Sequence, residues 1–139
     1  MKYEIKDRRE GYCLFSAEGE SFKEVVELAL RKKISLCATD LSRVDLSGVN
    51  FSKADLRRAD LSKSKLSGGN FYGANLSRST LAEADLSGAN LYAADLSGAN
   101  LSNVNLAHSD LSGSDLSGAN LSGTNLSDAD LLGALILKR

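Results

Sequence analysis

Proline and tryptophan are missing altogether, histidine occurs once and cysteine only twice. Each scarcity removes a class of protein. A single histidine, His108, removes metal sites built on clustered imidazoles. Two cysteines, Cys13 and Cys37, cannot form a disulfide framework, and both are expected to be reduced, buried thiols. No apolar run approaches the ~18 residues that cross a bilayer, so no membrane association is expected. The first residues, Met1-Lys2-Tyr3-Glu4-Ile5-Lys6-Asp7, alternate charged and apolar types and lack the apolar middle of a secretion signal, so a cytoplasmic location is expected. A formal net charge of −1 supplies no global attraction to nucleic acid or anionic lipid. At 139 residues the chain is one domain by size.

What remains is biased toward Leu, Ser, Ala, Asp, Asn and Gly, and the bias is periodic. From Leu36 to Ile136 every fifth residue is large and apolar: 18 Leu together with Phe51, Phe71 and Ile136. Two positions before each stands a small or β-branched residue, most often Ala. The position between is Asp or Asn in 17 of 21 repeats, which marks it as the outward-facing site. A period of five suits neither a helix nor a flat strand. Within one repeat, however, Ala and Leu are two apart and point the same way in an extended segment, with Asp or Asn pointing outward. The next two residues, often Ser-Gly, are turn formers. A chain that turns every five residues must coil upon itself, filling its interior with Leu and Ala.

Three coincidences favour four sides per coil. Phe51 and Phe71 are 20 apart, as are Tyr72 and Tyr92. Lys65, the basic residue in the Asp/Asn column, has Asp45 and Asp85 at ±20. Tandem Ala-(Asp/Asn)-Leu-X-X over residues 34–138 resembles the pentapeptide-repeat family. The resemblance implies an all-β solenoid, a right-handed quadrilateral β-helix of about five coils and on the order of 25 Å long.

Residues 1–33 read as an N-terminal hairpin-helix cap on a β-helix of residues 34–139. Asp7-Arg8-Arg9-Glu10-Gly11 forms the hairpin turn, with Tyr3 and Ile5 alternating on one strand and Cys13, Phe15 and Ala17 on the other. Ser21-Phe22-Lys23-Glu24 is a capping box that opens a helix. Its apolar stripe is Phe22, Val25, Val26 and Ala29, joined by Leu30. At the other end Leu132, Leu135 and Leu137 occupy positions that the repeat leaves polar. Only Leu137-Lys138-Arg139 follow Ile136, too few for a capping helix. Two arrangements fit: a two-fold homodimer through the last coil, or a terminus folded over its own core.

No catalytic constellation, cofactor motif or metal site is expected. Asp128 falls one coil below His108, as a surface pair or as two solvated side chains. Asp85, Asp95, Asp110, Asp115 and Asp130 read as ladder residues in preference to cation ligands. The candidate protein-interaction surface is Tyr72 and Tyr92, exposed and stacked, with Leu132, Leu135 and Leu137. Charge is asymmetric: residues 31–78 carry a net +6, whereas residues 79–137 contain no Lys or Arg and carry −7. The expected function is a scaffold or protein-interaction module with an unknown protein partner, and nucleic acid is not the expected ligand. The alternative follows from the resemblance, since a topoisomerase-protecting branch of the family mimics duplex DNA. Those members are long acidic rods; this chain is short, near neutral and basic over half its length.

Overall fold

The computed structural model describes residues 1–136. Strand β1 (Lys2–Asp7) pairs antiparallel with β2 (Cys13–Glu18), helix α1 (Phe22–Arg31) follows, and a two-residue strand β3 (Thr39–Asp40) pairs with the free edge of β1. From there the chain is a solenoid. Parallel bridges join residues 20 apart, from Asp40↔Asp60 to Asp115↔Leu135. Each coil therefore holds four sides of five residues, and the 20-residue spacing inferred from the aromatics is observed directly. Phe51 and Phe71 stack at 4.9 Å between ring centroids, and Tyr72 and Tyr92 at 5.7 Å.

One side shows the bonding of all. Leu96 N–H donates to Asp115 O at 2.7 Å and Asp115 N–H donates to Ala94 O at 2.9 Å, so each bridge residue is held to the coil before it. At the corner Ala99 N–H closes a turn onto Leu96 O at 3.0 Å, and Gly98 N–H reaches Ser117 O at 2.9 Å in the next coil. The third residue of the turn has positive φ, as type II turns require. Glycine meets that demand at Gly98 (φ 67°), but Arg58 (59°), Arg78 (57°) and His108 (60°) adopt the same left-handed conformation.

Leu36 through Leu111, with Phe51 and Phe71, are fully buried along the axis. Where the Ala position holds serine, the hydroxyl is buried and paired: Ser64 Oγ donates to Leu61 O (2.5 Å) and Ser79 Oγ to Leu76 O (2.6 Å). Among the described residues no buried side-chain polar atom lacks a partner, as a filled interior requires. At the N-terminal end Ile5, Val26 and Ala29 join the same buried cluster as Leu36 and Leu41. Ser21 is the N-cap of α1 and its Oγ accepts from Glu24 N–H at 3.1 Å. The returning half of the capping box differs from expectation: Glu24 Oε2 accepts from Glu20 N–H (2.6 Å), one residue before the cap.

Two sequence expectations need correction. The Asp and Asn side chains do not simply face water. Each curls over its own corner and accepts the backbone N–H two residues on, as in Asp95 Oδ1 with Ser97 N–H (2.9 Å) and Asn100 Oδ1 with Ser102 N–H (3.0 Å). This is an Asx-turn, so the column serves the fold. The cysteines are not core. Cys37 occupies the Ser position after Leu36 and is half-buried, while Cys13 is exposed beside the register shift where Lys6 pairs with it. Lys65 does lie between Asp45 and Asp85 in one column, yet among the described residues its ammonium closes no ion pair. The Asp45 carboxyl is held below its ordinary value first by the Ser47 hydroxyl and N–H, with Lys65 a smaller influence.

Candidate interaction surfaces

The bridges Asn70↔Asn90, Asn90↔Asp110 and Asp110↔Asp130 put Tyr72, Tyr92, Ser112 and Leu132 in one column on the outside of a single side. Three of the residues singled out from sequence thus share a face. The tyrosine rings lie 4° from parallel and are 40% and 45% exposed. Their mutual packing leaves an outer apolar edge available while fixing both rotamers, so little side-chain entropy is lost if a partner covers them.

Leu132, 81% exposed, ends this column, and Leu135 (46%) and Ile136 (48%) sit on the adjoining side. Inside the same coil Leu121, Leu126 and Leu131 are only partly buried, whereas the equivalent leucines one coil earlier are covered. Among the described residues the last coil therefore shows partly open core leucines together with two outward leucines. Leu137 lies outside the described residues.

A third surface is basic and escaped the sequence reading. Arg57 and Arg58 fall on the same corner as Arg78, one coil on, and the β1–β2 turn brings Arg8 and Arg9 against them. Arg8 Nη1 donates to Arg58 O at 2.6 Å. Arg57 is neutralised by a two-point bond to Asp55, Nε to Oδ1 and Nη2 to Oδ2, both 2.8 Å. That pairing, aided by Ser35 Oγ (2.9 Å), lowers the Asp55 carboxyl to about 2. A 20-residue ruler laid on the sequence aligns Arg58 with Arg78, but nothing in it places the hairpin turn beside them.

Catalytic grouping is absent from what is described. His108 Nδ1 lies 3.6 Å from Asp128 Oδ2, with both side chains largely in water. No cluster of three or more His, Cys, Asp or Glu among the described residues could hold a metal ion. No described helix is long and apolar enough to cross a membrane.

The sequence matches the family model for pentapeptide repeats in eight copies, over residues 34–68, 70–106 and 99–135. No curated protein matches it. Among solved structures it is similar to a pentapeptide repeat protein of the Arabidopsis thaliana thylakoid lumen. That match has 32% identity and a TM-score of 0.66, covering 85% of this chain and 72% of the other. It is also similar to a pentapeptide repeat protein from Nostoc PCC 7120, with 27% identity and a TM-score of 0.58 over 84% of this chain and 96% of that one. The plasmid-mediated fluoroquinolone resistance protein QnrB1 is more distant, with 22% identity and a TM-score of 0.46 over 71% of this chain and 65% of its own. With an inward Leu or Phe every five residues, corners that turn at positive φ and a ladder of period 20, this chain belongs to the pentapeptide-repeat family.

Proposed function

We propose that the chain is a non-enzymatic protein-interaction module: a right-handed rod of roughly five coils at the ~4.8 Å strand spacing. In this reading the hairpin and helix cap its N-terminal end, and it forms a two-fold homodimer through its C-terminal coil. The observation that carries the reading is the contrast between the rod's ends. Leu36 at one end is fully covered, while Leu132, Leu135 and Ile136 at the other are exposed around half-open core leucines. Apolar area of that kind is stabilised by leaving water, and a self-complementary patch closes as a dimer. Filled coils leave no interior pocket for a substrate, which supports a binding role over a catalytic one. The stacked tyrosines, on a side that runs the length of the rod, are the anchor for a different protein partner.

Duplex-DNA mimicry gains less support. A mimic needs negative charge along its length, and Arg58 and Arg78 interrupt it at the N-terminal half. A gyrase supercoiling assay unaffected by micromolar protein is the result expected.

Sedimentation velocity tests the dimer. Wild type should sediment as a dimer and Leu132→Asp/Leu135→Asp as a monomer with an unchanged circular dichroism spectrum. A wild-type monomer at high micromolar concentration overturns the assignment.

A further inference from the structure

One corner of the rod carries two arginines at its left-handed positions. Its left-handed residues, one per coil, are Ala38, Arg58, Arg78, Gly98 and Gly118. Two guanidinium-bearing residues are thus followed by two with no side chain. Three adjoining shallow depressions, which share Arg78, make up a cleft along this corner: one under the β1–β2 turn between Arg8, Arg9, Arg58 and Arg78, one beside Cys37 and Arg57, and a trough lined by Gly98, Gly118, Ser97 and Ser117.

The arginines at this corner are anchored without acidic partners among the described residues. Arg8 is fixed at both ends, its N–H on Ala38 O (2.8 Å) and its Nη1 on Arg58 O (2.6 Å). Among the described residues none of Arg8, Arg9, Arg58 and Arg78 forms an ion pair, although Arg57 beside them closes on Asp55. The two carboxylates at the cleft do not offset four guanidinium groups. Asp7 is occupied by the N–H groups of Arg9 (3.0 Å) and Glu10 (2.7 Å), and Glu10 is a single charge. Like charges gathered on one concave surface raise the local potential, which favours an anion there. Planar guanidinium forks suit phosphoryl oxygens better than a point charge would.

The trough decides what carries the phosphoryl group. Asp95 and Asp115 lie on the side that leads into it, bridged to one another. A strand of successive phosphates laid along the corner would run from arginines into carboxylates. A chain with one anionic head and a neutral body meets no such conflict. Room for the body exists because position 98 is glycine: Arg78 Cγ lies 3.4 Å from where a Cβ would stand. Two coils from Arg78 to Gly118 span about 10 Å, the length of roughly three extended residues.

We propose that this corner binds a phosphorylated peptide segment, with the phosphoryl group between Arg8, Arg58 and Arg78 and the peptide along the bare trough. The proposal deepens the interaction-module reading and rests on it only in that the ligand is a protein segment. The dimer surface lies at the opposite end of the rod.

Cys37, half-buried in the cleft, reports occupancy. In a Cys13→Ser background it is the one thiol left, and its rate of alkylation is measured against added probe. A Gly-Ser pentapeptide with a central phosphoserine should slow alkylation saturably. The unphosphorylated pentapeptide should not, and inorganic phosphate should need at least a ten-fold higher concentration. Arg58→Gln/Arg78→Gln should raise the half-protecting concentration of phosphopeptide at least ten-fold while leaving unfolding temperature and sedimentation unchanged. Amide shifts of Gly98 and Gly118 on adding the phosphopeptide provide a second readout that does not depend on the thiol. The proposal is overturned if the phosphopeptide gives neither protection nor shifts, if the arginine variant responds like the parent, or if inorganic phosphate matches the peptide. It is equally overturned if a twelve-nucleotide single strand protects better than the peptide. Unchanged sedimentation in the arginine variant keeps this outcome separate from that of the dimer experiment.

Discussion

A Cβ on Gly69 would stand 2.8 Å from Cε2 of Phe71, inside the ring's van der Waals surface. Gly69 is the one glycine at a position otherwise filled by Ala, Ser, Thr, Val or Ile, and its φ is not in the left-handed region. Steric room for the ring, which stacks on Phe51, accounts for it. Gly69→Ala should cost about 1–3 kcal/mol through overpacking. In a Phe71→Leu background, where the local sequence becomes an ordinary Ala-Asn-Leu repeat, the same change should cost little. Urea unfolding of the four proteins in the double-mutant cycle measures the coupling, expected above ~1 kcal/mol.

Leu96 and Ser97 are neighbours with opposite tasks. Leu96 is fully buried on the axis, while Ser97 is at the corner with its Oγ on Asp95 Oδ1 (2.6 Å). Leu96→Ala leaves a cavity between coils and should cost about 2–5 kcal/mol. Ser97→Ala removes one solvent-accessible hydrogen bond and should cost under ~1 kcal/mol. Equal effects in chemical denaturation would contradict the inward assignment of the five-residue series.

Corner backbone conformation gives a pair of opposite signs. Ala93 has φ 59° with a side chain that contributes nothing beyond its Cβ, so Ala93→Gly relieves the left-handed penalty while loosening the unfolded chain. The balance should be a gain of about 0.5 kcal/mol. Gly98 has φ 67° and Arg78 above it, so Gly98→Ala should lose about 1 kcal/mol. Thermal unfolding in one buffer separates the two.

Asp55 makes stability sensitive to acid. Arg57 and Ser35 hold its carboxyl at about 2, below the ordinary 3.8. The folded state therefore binds this proton less readily than the unfolded chain. The stabilisation is fully present above 3.8 and is lost as pH falls from there through about 2. Asp45 and Asp115, lowered by Ser47 and Ser117, act in the same direction. Asp55→Asn should flatten the fall of the urea midpoint across that window relative to wild type, and the two curves should run parallel above it.

The period of five and the coil of 20 were legible because packing repeats: a side chain that must point inward recurs at a fixed interval, and Phe51–Phe71 and Tyr72–Tyr92 mark the coil. Less was visible in the Asp/Asn column. A polar residue between two inward ones reads as solvent-facing, and the bond it makes to its own backbone leaves no separate trace in composition. Cys37 was misread because cysteine's general preference for burial outweighed its place in the serine column. The arginine corner was missed for another reason. Summing charge over residues 31–78 found the basic half, but Arg58 and Arg78 meet Arg8 and Arg9 only after the hairpin folds back over the first coil.

A ladder that always joins residue n to residue n + 20 also separates the inside of the molecule from its outside. Duplicating one pentad between Leu76 and Leu91 would keep every leucine pointing at the axis, yet rotate all later faces by a quarter turn. Tyr92 would part from Tyr72 while the interior stayed full. Duplicating four pentads would leave the faces aligned and merely lengthen the column. In such a molecule, length changes in whole coils preserve both the packing and the order of the faces. Shorter ones rewrite the exterior without disturbing what holds it up.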